Sequence, residues 1–389
     1  MEGSAQRQTS IVALMSVFGL GIAFVIVGAI SVEYGKALQI ENIGNLTFAL
    51  FLTSCIVQLV IGPLVDRFGY RPVAIAGFLV AAVSMVSLAA ASSYTMALFA
   101  CILLGVGAMC MNTVGNTLIP VVLFGGKDPA RASNFGNAFF GLGLVVTPLL
   151  FYVVNYKAGL FVLAVVFVAF LATAIGTKFP QAASGYKFSM AVKLLGNPAV
   201  LVAALALFCY VSLESSMNTW AKPYMTEMLG GDQNPNAVSN AGLVLSLFGV
   251  AMMAGRFLTS TVKNLTNMGV KLIAAMAAVA AVAILTMIMT SSAALATVAV
   301  VLTGLAFAPI FPTIVGVTFS KFDPSLYGSI FGIIFAIGLL GGTFVPQIVG
   351  NLSQGATIQQ SLQIVLAMAV GLFVVSWLLK VKPGSGPAK

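Results

Sequence analysis

The chain has 389 residues, of which 60% are hydrophobic and only 7% charged; it carries a formal net charge of +9 and no histidine. Soluble domains carry about 25% charged residues, so a water-soluble fold is excluded. Without histidine, a His-ligated metal site and a His proton relay are excluded as well.

The start, MEGSAQRQTS, is polar, and the apolar segment after it runs to about Ser31. That exceeds a signal-peptide core of roughly 7–15 residues, so it reads as a retained span. Apolar runs between polar breaks then predict twelve helices, at 9–34, 43–65, 72–92, 95–124, 132–155, 158–177, 198–221, 238–262, 269–290, 292–318, 326–350 and 360–380. The fold class expected is an all-α membrane protein. Its parts are an N-terminal six-helix bundle (1–177), a central loop (178–197), and a C-terminal six-helix bundle with a short tail (198–389). Cys55, Cys101, Cys110 and Cys209 lie in apolar runs with no CxxC pair and read as packing residues.

With the N-terminus inside, only Lys36, Lys157 and Lys222 among the lysines and arginines fall on the outer side. That bias places both termini in the cytoplasm of a multi-pass protein of the cell (inner) membrane. It also assigns the positive charge to topology and anionic-lipid contact rather than to nucleic acid. The halves echo each other. LGVGAMCMN from Leu104 resembles TGLAFAPIF from Thr303, and KDPARASNFGNAFFGLGLVVTP from Lys127 resembles FDPSLYGSIFGIIFAIGLLGGTFVP from Phe322. Six-helix repeats joined by a central loop are a transporter architecture, with the solute near the midplane.

At the end of the second span stands GPLVDRFGYRP, Gly62 to Pro72. It resembles the loop signature of the major facilitator superfamily, with Gly62, Leu64, Asp66, Arg67, Gly69 and Arg71 matching. The resemblance implies two pseudo-symmetric six-helix bundles and a conformational latch formed by Gly62, Asp66, Arg67, Gly69 and Arg71. Physical chemistry sets a requirement of its own. Asp66 sits at a helix C-terminus, where the backbone dipole disfavours negative charge. It needs a partner, which could be Arg67, Arg71 or the N-terminal end of another helix. The second-half copy, GRFLTSTVKN from Gly255, keeps the glycine and Arg256 but lacks the acid.

Two carboxylates stand within or beside apolar spans: Glu33, near the outer end of the first, and Glu214, deep in the seventh. A charge at the bilayer centre costs roughly 3 kcal/mol on insertion scales, so it marks a polar partner or a water-filled cavity. Tyr210 and Asn218, each four residues from Glu214, share its helix face, and Trp220 follows. The fourth span adds Asn112 and Asn116, and the fifth adds Asn134 and Asn137. These amides are either helix–helix glue or ligand contacts. The candidate solute site is Glu214, Asn218, Trp220, Tyr210, Asn112, Asn116 and Asn137, with Glu214 and Glu33 as candidate ion-coupling groups. Aromatic, amide and carboxylate groups suit a sugar, and equally a nucleoside or an amphipathic cation.

FPTIVG from Phe311, FCYVSLESSMNTW from Phe208 and NTVGN from Asn112 resemble the fucose/glucose–galactose permease branch of that superfamily. The resemblance implies sugar transport. Where proton-coupled members carry a fourth-helix glutamate, this chain has Asn112, and their first-helix aspartate falls near Gly28. Glu214 is then either a replacement coupling site for H+ or Na+, or a fixed contact in a uniporter. The expectation is a secondary transporter for a sugar or similar polar solute, working by alternating access as a monomer, with no cofactor, no metal and no enzyme activity. No Gly-rich phosphate loop and no nucleophile–base set is visible. The rival readings are an efflux transporter for hydrophobic or cationic compounds and a non-transporting receptor or scaffold.

Overall fold

The computed structural model describes residues 3–30, 34, 37–39, 44–180, 188–231 and 235–379. Among them, twelve helices are long and apolar enough to cross a membrane, and no strand occurs. In chain order the first six are α1 (Gly3–Ala29), α2 (Gly44–Phe68), α3 (Tyr70–Ala90), α4 (Tyr94–Val122), α5 (Pro129–Val153) and α6 (Tyr156–Gly176). After a short helix, Phe188–Leu194, come α7 (Pro198–Met228), α8 (Pro235–Ser260), α9 (Leu265–Met289), α10 (Ala293–Phe319), α11 (Tyr327–Ser353) and α12 (Ile358–Ser376). The sequence-based boundaries hold to within a few residues at most ends. The first helix begins earlier than predicted because its polar residues find partners. Gln6 Nε2 donates to the Val122 carbonyl at 2.8 Å, and Thr9 Oγ1 donates to the Lys178 carbonyl at 3.0 Å.

Polar caps set several helix starts. Ser93, Asn155, Asn197, Ser292 and Thr357 each accept a backbone N–H of the first turn of the helix that follows. The tenth span is broken into Ala293–Phe307 and Ile310–Phe319. Pro309 and Pro312 explain the break. Neither has an N–H, so the carbonyls four residues earlier, Leu305 and Ala308, lose their helical donors.

Contacts divide the chain into two compact units. The first is Met1–Gly126, Gly136–Leu194 and Asp323–Ile333; the second is Lys127–Phe135, Leu195–Phe322 and Ile334–Lys389. The opening turns of α11 thus belong to the first unit and those of α5 to the second. In the first unit α4 packs against α1, α2 and α3, and is buried on all sides from Gly107 to Pro120. In the second, α9 packs against α10 and α12, while α7 packs against α8 and α12. Large apolar side chains such as Ile56, Val165 and Met289 face outward, as a hydrocarbon solvent requires.

Candidate functional site

In the second unit, Glu214 of α7 meets Arg256 of α8. The Arg256 Nη2 lies 3.4 Å from Glu214 Oε1, with side-chain exposures of 3% and 21%. The same Nη2 reaches the Tyr210 hydroxyl at 3.4 Å, and Nε donates to the Ala308 carbonyl at 3.3 Å. Ala308 is the residue whose carbonyl Pro312 leaves without a helical donor, so the break in α10 creates an acceptor that Arg256 uses. Tyr210 is fully buried, with its ring against Phe307 and Phe311. The burial of Glu214 thus has an answer in a counter-charge one helix away. The sequence reading places Arg256 among the basic residues of the inner edge; the structure sinks it into α8 with the acid. The signal was available, because a lone base in the apolar run of span eight and a lone acid in span seven are natural counter-ions.

Asn218 is exposed. The Trp220 indole N–H donates to the Pro346 carbonyl at 2.9 Å. Trp220 is therefore a strut between α7 and the later part of α11. Glu33 lies outside the described residues.

In the first unit the predicted amides form one directional chain. Asn137 Nδ2 donates to Asn116 Oδ1 at 2.8 Å, Asn116 Nδ2 to Asn112 Oδ1 at 2.8 Å, and Asn112 Nδ2 to Gln58 Oε1 at 3.2 Å. Gln58 Nε2 then donates to Thr113 Oγ1 at 3.2 Å. All five residues are buried. Asn112, Asn116 and Asn137 come together, and Gln58 and Thr113, not anticipated from sequence, complete the chain. Asn134 instead belongs to the second unit and donates to Thr313 Oγ1 at 3.0 Å.

The motif at the end of α2 takes the third of its three possible partners. Asp66 Oδ1 accepts from the Gly328 N–H at 2.8 Å; Oδ2 accepts from the Ser329 N–H at 2.6 Å and hydroxyl at 2.5 Å. The carboxylate leaves the unfavourable end of its own helix dipole and sits on the favourable end of α11. Gly62 lets the helices approach, since a Cβ there would collide with the Gly328 carbonyl oxygen. Gly69, at φ 82°, turns the chain into α3 in a conformation open to glycine. Arg71 donates to the Ile175 carbonyl at 2.9 Å, and Arg67 stands 5.0 Å over the Phe68 ring.

The second unit has a comparable clasp. Asn264 precedes α9 at φ 61° with no side-chain cap bond. Asp128 supplies the cap instead, accepting from Leu265 N at 2.9 Å, Thr266 N at 3.0 Å and Thr266 Oγ1 at 2.7 Å. The acid missing from the second-half motif is supplied by the residue just before α5.

Twelve apolar helices with a buried ion pair and a hydrogen-bonded amide chain among them define a polytopic membrane protein. The family model of the Major Facilitator Superfamily matches residues 9–346, and the chain belongs to that family. Its members handle small-molecule solutes in a membrane. A crystal structure of the Escherichia coli fucose:proton symporter FucP superposes with a TM-score of 0.80 at 19% identity, covering 95% of this chain and 98% of that one. The proton:xylose symporter XylE, bound to 6-bromo-6-deoxy-D-glucose, superposes with a TM-score of 0.77 at 13% identity, covering 97% and 96%. Among curated proteins, the chromaffin granule amine transporter of Homo sapiens is 28% identical over 244 residues, 58% of this chain and 45% of that protein. The matched region therefore spans less than half of that relative's length.

Proposed function

We propose that this protein is a secondary transporter that moves a sugar or similar uncharged polar solute across the cell membrane by alternating access, coupled to a cation through Glu214. It works as a monomer with both termini in the cytoplasm. The observation that carries the reading is the Glu214–Arg256 pair, one carboxylate and one guanidinium held together inside the membrane-spanning core. A titratable acid in that setting marks an ion pathway. The amide chain of the first unit has exchangeable donors and acceptors and no net charge, which suits hydroxyl groups. The fold neighbours named for fucose and xylose symport support the solute class.

The test is uptake of labelled monosaccharides into proteoliposomes under imposed H+ or Na+ gradients. Gradient-driven accumulation is expected in the wild type, and Glu214→Gln is expected to retain only downhill flux. Undiminished accumulation by Glu214→Gln would overturn the coupling role. The sequence likeness to an amine transporter favours a second reading, in which Glu214 receives a cationic solute. Saturable uptake or efflux of monoamines, with none of sugars, would select it.

A further inference from the structure

Arg256 is buried against oxygens of three kinds. Guanidinium groups pair with carboxylates through short, forked bonds of about 2.7–2.9 Å. Among the contacts of Arg256, Nε lies 3.3 Å from the Ala308 carbonyl, and Nη2 lies 3.4 Å from both the Glu214 carboxylate and the Tyr210 hydroxyl. Each oxygen has an independent reason to be there. Pro312 strips the Ala308 carbonyl of its helical donor. Tyr210 is fully buried, so its hydroxyl needs a partner. Glu214 brings the only negative charge among the three. A freed carbonyl at a helix break, a hydroxyl and one carboxylate are the donor chemistry of a monovalent-cation site. With a single carboxylate and no cluster of three or more His, Cys, Asp or Glu among the described residues, the set does not suit a divalent metal.

We infer that Glu214, Tyr210 and the Ala308 carbonyl form a monovalent-cation site whose resident cation is the tethered guanidinium of Arg256. The inference deepens the reading of Glu214 as the coupling group. Because the protein carries its own cation, Na+ has no vacancy there, and the ion left to act on Glu214 is H+. Removing the guanidinium while keeping the carboxylate opens the site to an external cation of the same shape.

The experiment measures binding, so it needs no transported solute and stands apart from the sugar reading. Wild type, Arg256→Ala and Arg256→Ala/Glu214→Gln are purified in detergent. Thermal unfolding is followed against guanidinium chloride at low millimolar concentration, with choline chloride matching the ionic strength. A saturable rise in Tm of at least about 3 °C over choline is expected for Arg256→Ala alone. Absence of that rise, an equal rise in the wild type, or its persistence in the double variant each overturns the inference. So does Na+-dependent stabilisation of the wild type that disappears in Glu214→Gln. Should Arg256→Ala not purify, its recovery as a monodisperse protein only when guanidinium is present becomes the supporting result. Failure to recover Arg256→Ala and Arg256→Gln in either salt is the overturning one.

Discussion

The Glu214–Arg256 pair makes a quantitative prediction that does not depend on the solute. At 3.4 Å and an effective dielectric near 20, two unit charges attract by about 5 kcal/mol. Desolvation offsets much of that, so the pair itself adds little net stability. Breaking it is different, because one charge stays buried without its partner, at a cost of about 3–5 kcal/mol. Glu214→Gln and Arg256→Met should each destabilise by that amount. The double variant, neutral and similar in volume, should lose only about 0–2 kcal/mol. The cycle therefore predicts a coupling energy of about 4 kcal/mol or more. Reversible unfolding of the four proteins in mixed micelles measures it. If the two single effects add to within about 0.5 kcal/mol, the charges do not sense each other and the site has been misread.

Gly328→Ala places a methyl against the Gly62 carbonyl and within 2.6 Å of Asp66 Oδ1, so it should open the clasp and cut transport at least about tenfold, as Asp66→Asn should by replacing one acceptor oxygen with an amide donor that faces N–H donors. Transport that survives both changes would leave the clasp with no part in the cycle. Asn116→Leu leaves Asn112 Oδ1 and Asn137 Nδ2 without the partners they have now, and should destabilise by about 1–3 kcal/mol; an unfolding midpoint within error of the wild type would show that the chain is idle. Lys321, in the connection between α10 and α11, is held below the ordinary lysine range by burial. The unfolded chain then binds more protons in the alkaline window, so stability should rise as pH climbs from the folded pKa toward 10.5 and fall as pH drops through it. Lys321→Met should flatten that rise in Tm on the alkaline side below pH 10.5, and an unchanged slope would remove Lys321 as its source.

Most of the fold was legible because a bilayer simplifies the code. A run of about 20 apolar residues must be a helix there, whatever its periodicity. What escaped was local. The break at Ala308–Pro309 lies inside the predicted span 292–318, where hydropathy is blind to a lost N–H. The extension of α7 through Met228 continues past Lys222 and Pro223, which read as a loop, because Tyr224 is buried and its hydroxyl reaches the Met287 carbonyl at 2.8 Å. The partition into two compact units departs from the sequence halves at residues 127–135 and 323–333. Those stretches open α5 and α11, and they carry the Asp128 and Gly328–Ser329 contacts. Nothing in the linear order announces that a helix start will pack with the other half.

The site divides along the same line. Asn112, Asn116 and Asn137 could be grouped because amides in apolar helices must find amides or hydroxyls. Spacing on one helix brought the first two together, and only the fold could add Gln58. Arg256 escaped because its neighbours, Thr259, Ser260 and Lys263, made it look like the edge of a loop. The carbonyl it uses escaped for a deeper reason. Ala308 is chemically mute in a sequence, and becomes an acceptor only because Pro312 stands four residues later. Proline spacing within a membrane helix is thus readable as a list of released carbonyls. In α10 the rule marks Leu305 and Ala308, and the second is the one that holds the arginine. On that logic Pro312→Ala returns a donor to Ala308 and competes with Arg256 Nε, loosening the guanidinium without touching any charged residue. It should therefore lower the Glu214–Arg256 coupling energy in the same double-variant cycle, and an unaltered coupling would mean that the released carbonyl plays no part in holding the pair.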